Sequence, residues 1–125
     1  MTKIPKKEMQ NAPIGELLKS YAAAAAAHGE ATEKGDYRVG NKQHDIIVAT
    51  YREIRARGLE AQRSLFGLLD HPNEAVRLVA AAHALEFAPE EGATVLELLA
   101  KGTSIHGFSA RITLEEWKKG SLKFP

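Results

Sequence analysis

Hydrophobic positions along this chain recur at three- and four-residue intervals, and no stretch alternates with the period of two that marks a half-buried strand. The densest block is 73–88, NEAVRLVAAAHALEFA, in which only Asn73, Glu74, Arg77, His83 and Glu86 are polar. A helix with apolar groups on nearly every side belongs in an interior, so this block is expected to organise the rest. Upstream, Ile14, Leu17, Leu18, Tyr21, Ala25 and His28 form one stripe, and the run Ala22 to Ala27 makes that helix thin enough for close approach by a neighbour. Gly35 followed by Asp36 pairs a helix terminator with an N-cap residue. A second helix from Tyr37 to Arg57 then buries Gly40, Ile47, Tyr51 and Ile54 and turns Arg38, Asn41, Asp45, Val48, Arg52 and Arg55 outward.

The pattern continues with a third helix over 59–69, the central helix, and a fifth helix over 90–101 that follows Pro89 and buries Val95, Leu96 and Leu99. Residues 103–112 lack a clear period and contain Gly107, which predicts an irregular loop. Thr113 and Glu116 have capping-box spacing, which predicts a short last helix from Leu114 to Lys119, docked by Leu114 and Trp117. The expected fold class is all-α, with five helices and a short sixth in antiparallel neighbours: one with two, three with four, five with six. The expected organisation is a flexible arm over 1–11, one helical domain over 12–120 and a tail over 121–125.

The run LFGLLDHPNEAVRLVAAAHAL, residues 65–85, resembles a HEAT-type repeat. The leucines Leu65, Leu68 and Leu69 precede the Asp70-to-Pro72 turn, and Val76-Arg77 opens a helix that continues with Ala81, Ala82 and Leu85. Arg38 precedes Arg77 by 39 residues, close to a HEAT period of about 40 to 47. Three residues separate Val76-Arg77 from the alanine segment where two are usual, which rotates the end of the helix. As a whole the chain resembles a bacterial family of small HEAT-like proteins of unestablished function, with an alanine-rich first helix, a central asparagine on the second and a C-terminal tryptophan segment. The resemblance implies an α-α superhelix whose second helices line a groove, and no activity.

Composition narrows the function classes. The 125 residues carry 17 basic and 16 acidic side chains, for a net charge of +1, so global charge selects neither nucleic acid nor an anionic membrane. Cysteine is absent, which removes disulfides and thiolate chemistry. Lys3, Lys6 and Lys7 precede an apolar stretch, but Glu16 and Lys19 interrupt it and no run approaches the roughly 20 apolar residues of a membrane span. The expected location is cytoplasmic, without a membrane.

Two surfaces are candidate sites. The small stripe of the central helix, Arg77, Ala81 and Ala84, joins Arg38, Asn41 and Asp45 in a shallow groove that binds a protein or peptide segment. The competing role for Arg77 is a tie between repeats, paired with acidic residues of neighbouring turns, because an arginine among buried helices must find a partner. The alternative surface is Arg52, Arg55, Arg57 and Arg63, a nucleic-acid contact in a DNA-base-processing relative. It is the lesser reading, because cations near a helix C-terminus complement its dipole and stacking aromatics are scarce. An enzyme of that kind would need an acid in a cleft beside an aromatic, and Asp45 with Tyr37 or Tyr51 is the nearest approach. Histidines 28, 44, 71, 83 and 106 are scattered without a same-face pair at metal-ligand spacing, and His83 reads as a core histidine. There is no nucleophile elbow and no phosphate loop. The expectation is a non-catalytic binding module without cofactor or metal, such as an immunity or regulatory protein, that is a monomer or weak homodimer.

Overall fold

A computed structural model describes residues 6–125. The described chain is helical, with α1 Ile14–Lys34, α2 Tyr37–Ala56, α3 Leu59–Arg63, α4 Glu74–Ala84, α5 Pro89–Ala100 and α6 Ile105–Lys118. Two 3-10 helices, Lys6–Asn11 and Ser64–Leu68, complete it. Where the sequence predicts one domain over 12–120, the helices gather into two compact units, one running to Leu65 and the other from Phe66 to Phe124.

In the first unit α1 and α2 form an antiparallel pair around a two-residue corner. Gly35 adopts a left-handed conformation at φ 71°, its N–H and that of Asp36 bond to the last α1 carbonyls, and the Asp36 carboxylate accepts from Val39 N–H. A side chain at Gly35 would be strained there, which is why a glycine ends this helix. Leu17, Tyr21 and Ala25 on α1 meet Ile47, Tyr51 and Ile54 on α2 as the buried layer. Two tyrosines are wholly inside it. The Gln62 amide donates to the Tyr51 hydroxyl at 3.1 Å, and burial, with Tyr51 close by, raises the Tyr21 phenol well above its ordinary range. Of the expected flexible arm, residues 1–5 lie outside the described residues. Lys6–Asn11 is a 3-10 helix, with Met9 buried and its carbonyl accepting from Arg57 at 2.7 Å. An apolar side chain with a place in the core holds that segment down.

In the second unit α4, α5 and α6 pack on one another, and Ala81, Leu85, Leu96, Leu99, Ala110 and Leu114 are its core. Several expectations are corrected by the structure. Residues 103–112 are not a loop: α6 begins at Ile105, N-capped by Ser104, whose hydroxyl oxygen accepts from Gly107 N–H at 3.1 Å. Thr113 therefore lies inside the helix, its hydroxyl bonded to the Ser109 carbonyl, and the capping box is not used. Gly107 is not a helix breaker but a point of close approach, since a Cβ there would sit 2.8 Å from the Leu99 carbonyl oxygen and 2.7 Å from that of Gly102. The third helix is also shorter than expected, because the chain tightens to a 3-10 helix at Ser64. The C-terminal tail 121–125 lies back on this unit, with Leu122 and Phe124 packed against the core.

Ser104 makes two bonds at once, because its hydroxyl also donates to the Glu74 carboxylate at 2.6 Å and so joins the starts of α4 and α6. Ser104→Ala is expected to lower unfolding stability by about 1 to 2 kcal/mol, the sum of a lost N-cap and a lost charge-assisted bond. Urea unfolding measures it, and a change within error would show that neither bond contributes.

Candidate functional site

The helix expected to carry half of the groove does not present one. Ala81 and Ala84 are fully buried, and α5 crosses them so closely that a Cβ on Gly92 would lie 2.6 Å from the Ala81 carbonyl oxygen. The small residues are the seat of a neighbouring helix, not the floor of a surface. Arg77, half-buried, donates through one guanidinium nitrogen to the carbonyls of His71 at 2.7 Å and Pro72 at 3.1 Å. It secures the turn into its own helix, and among the described residues it does not make the expected pairing with an acidic residue of a neighbouring turn. Asn73 is the N-cap, accepting from the N–H groups of Ala75 and Val76, and Pro72 stands one residue before the cap.

The basic group is likewise largely engaged. Arg57 pairs with Glu53 at 2.9 Å in addition to its bond to Met9, Arg55 lies 5.5 Å over the Tyr51 ring, and Arg63 reaches Glu60 at 3.9 Å. Arg52 is exposed. Arg52 and Arg55 lie on α2, Arg57 caps it and Arg63 ends α3, and Arg55, Arg57 and Arg63 each have a partner within the first unit.

Arg38, Asn41 and Asp45 are where the pattern placed them, exposed along α2 on the side opposite buried Ile47. Beside them is a cleft of about 290 Å³ at the α1–α2 corner, reached by His28 and Thr32 from α1 and by Tyr37, Gly40 and Asn41 from α2. Gly40 is buried and lacks the side chain that would fill the floor; its nearest non-local neighbour would be the Ala31 Cβ, at an ordinary 3.8 Å. Thr32 is turned back to its own helix, its hydroxyl donating to the His28 carbonyl at 2.9 Å. The His28 and His44 rings lie 6.1 Å apart across the two helices. Tyr37, the first residue of α2, is 71% exposed.

Neither the cleft nor the His28–His44 pair beside it was anticipated, yet both were legible. An antiparallel helix pair folded at Asp36 brings together residues equally far from it, and His28 and His44 each lie eight positions away. Among the described residues no three His, Asp or Glu side chains converge on a point that could hold a metal, and no helix is long and apolar enough to cross a membrane.

Residues 15–117 match the domain of unknown function DUF2019. The chain belongs to this family. The family's description names no activity, and a search of curated proteins finds no match. Among solved structures, the crystal structure of the protein RPA1889 from Rhodopseudomonas palustris CGA009 is similar, with a TM-score of 0.86 and 21% identity over 94% of this chain and 98% of that one. That likeness carries the helical fold to a distant sequence and nothing further.

Proposed function

We propose that this protein is a non-catalytic, HEAT-like binding module of the cytoplasm, an immunity or regulatory protein in kind, that captures an extended peptide segment along the exposed edge of α2. The observation that carries the reading is Tyr37, held 71% exposed at the mouth of a cleft with Asn41 one turn further along the same helix. A tyrosine offers a large contact area at low conformational cost and is a common anchor of binding energy. A carboxamide both donates and accepts, so Asn41 can bond to the N–H and C=O of a passing peptide without regard to its side chains.

Selectivity comes from the two charges. Arg38 and Asp45 are seven helical residues apart, roughly 10 Å along the axis at 1.5 Å per residue. An extended peptide covers that distance in about three residues. The preferred segment therefore has an acidic residue near Arg38, a basic one about three positions away near Asp45, and a backbone bonded to Asn41 between them. The HEAT-like resemblance supports this use of a second helix, now confined to the first unit and without the alanine stripe of α4. The arginine group around Arg52 remains the lesser surface, for which little gel retardation of duplex DNA is expected at low salt.

Selection from a displayed library of random dodecapeptides provides the ligand for a test. In Gly40→Ala, the added methyl meets only the Ala31 side chain at 3.8 Å, so stability is expected to rise by about 0.5 to 1 kcal/mol from helix propensity. The same methyl shallows the cleft, and affinity for a selected peptide is expected to fall about tenfold, equivalent to about 1.4 kcal/mol. A more stable variant that binds as well as the parent would remove the cleft from the account.

A further inference from the structure

His28 and His44 stand on different helices, so spacing along one helix does not show them as a pair. They lie eight positions either side of Asp36, and the packing of α1 on α2 brings their ring centres to 6.1 Å at an interplanar angle of 46°. His28 is half-buried at the cleft and His44 is exposed, so an ion reaches the pair from solvent. No residue three or four positions from either histidine is charged, so neither helix sets a cation one turn away to repel another. The other three histidines are not comparable: His71 Nδ1 accepts from Asn73 N–H, and His83 and His106 are buried.

The separation is close to what a shared metal ion requires. Such an ion sits about 2.0 to 2.1 Å from an imidazole nitrogen, and the ring centre lies about 1.1 Å behind that nitrogen. Two rings on one tetrahedral ion therefore have centres about 5.2 Å apart, and a wider angle at the ion takes the figure to about 6 Å. The observed 6.1 Å exceeds the tetrahedral value by about 0.9 Å. A turn of about 20° at one side chain's first torsion closes that difference and stays inside a staggered well. The second torsion of histidine is broad, so each ring turns a nitrogen inward at little cost. Neither helix has to move.

We propose that His28 and His44 together chelate a divalent transition-metal ion of the zinc or copper kind, which clamps α1 to α2 beside the cleft. Two imidazole nitrogens select such ions, whereas Mg²⁺ and Ca²⁺ require oxygen ligands. Two protein ligands leave half of a tetrahedral shell to water or to a donor from outside the chain. Because His28 lines the cleft, those positions lie next to whatever occupies it. The site needs only the packing of α1 on α2 and is independent of what the α2 edge binds, so it is tested without peptide.

Calorimetric titration of the full chain with zinc chloride near neutral pH is the test. The expected result is one ion per chain with a dissociation constant on the order of ten micromolar, and no response to magnesium chloride. His28→Ala and His44→Ala are each expected to weaken binding at least about tenfold, and the double variant no further, because a chelate needs both rings. His44 is exposed, so its variant decides the matter if His28→Ala does not fold. Zinc is also expected to raise the thermal unfolding midpoint of the parent by several degrees and that of His44→Ala by much less. No saturable binding below about millimolar zinc would overturn the proposal. So would binding indifferent to His44→Ala, or losses from the two single variants that simply add.

Discussion

Gly92→Ala is expected to destabilise the second unit by about 2 kcal/mol or more, lowering its unfolding midpoint by several degrees. The added Cβ would lie 2.6 Å from the Ala81 carbonyl oxygen, 3.0 Å from the Leu85 nitrogen and 3.3 Å from the Ala84 carbonyl carbon. All three are backbone atoms of α4 or of its C-cap Leu85, so no side chain can swing aside and the helices must separate. Alanine brings a helix-propensity gain of up to about 1 kcal/mol, which the separation of two packed helices outweighs. Gly40→Ala makes the same chemical change where the nearest non-local atom is 3.8 Å away, and its effect has the opposite sign. Thermal unfolding of the two variants beside the parent decides both, and equal shifts in one direction would mean that the α4–α5 approach is looser than described.

The second large effect is alkaline. Tyr21 is fully buried on α1, and its raised phenol pKa comes first from burial and then from Tyr51. Because the folded-state pKa lies above the unfolded value near 10, the neutral phenol stabilises the fold fully below about pH 10, and that contribution is lost as pH rises beyond it. Once the unfolded chain has released this proton and the folded chain has not, stability is expected to fall by about 1.4 kcal/mol per pH unit from this group alone. Tyr21→Phe has no proton to lose, so the decline of urea-unfolding stability between about pH 10 and 11 should be shallower by that slope. A variant whose alkaline decline matches the parent would assign the loss to other groups.

How much of this was readable in advance differs from element to element. The α1–α2 corner was, because a glycine and an N-capping aspartate are local signals and the structure uses both. So was the buried face of α2, because Gly40, Ile47, Tyr51 and Ile54 share one side at helical spacing. Ala81 and Ala84 were misread because a small side chain is compatible with a shallow surface and with a closely seated neighbour. Only the position of Gly92 on the crossing helix distinguishes the two, and periodicity within one helix is silent about its partner. Gly107 was misread for a related reason: in sequence a glycine that breaks a helix and one that admits a neighbouring backbone look the same.

Arg77 shows what a repeat resemblance leaves open. The position was recognised, but its bonds run to the carbonyls of His71 and Pro72, which are fixed by the conformation of the turn and not by any residue type. On the candidate site, Arg38, Asn41 and Asp45 followed from phase alone, whereas Tyr37 was weighed only as a companion to Asp45. The cleft between them needed the fold about Asp36 to be applied as a register, pairing His28 with His44.

The central claim is that the α2 edge is the binding surface of this domain. Amide chemical-shift mapping of the isotope-labelled protein, titrated with a peptide selected from a random library, tests it most directly. The account predicts that the largest shifts cluster at Tyr37, Asn41, His44 and Asp45, with His28 following across the corner, and that Tyr37→Ala abolishes them at the same peptide concentration. Shifts concentrated instead on Phe108 and Ile112 of α6, or persisting at α2 after Tyr37→Ala, would contradict it.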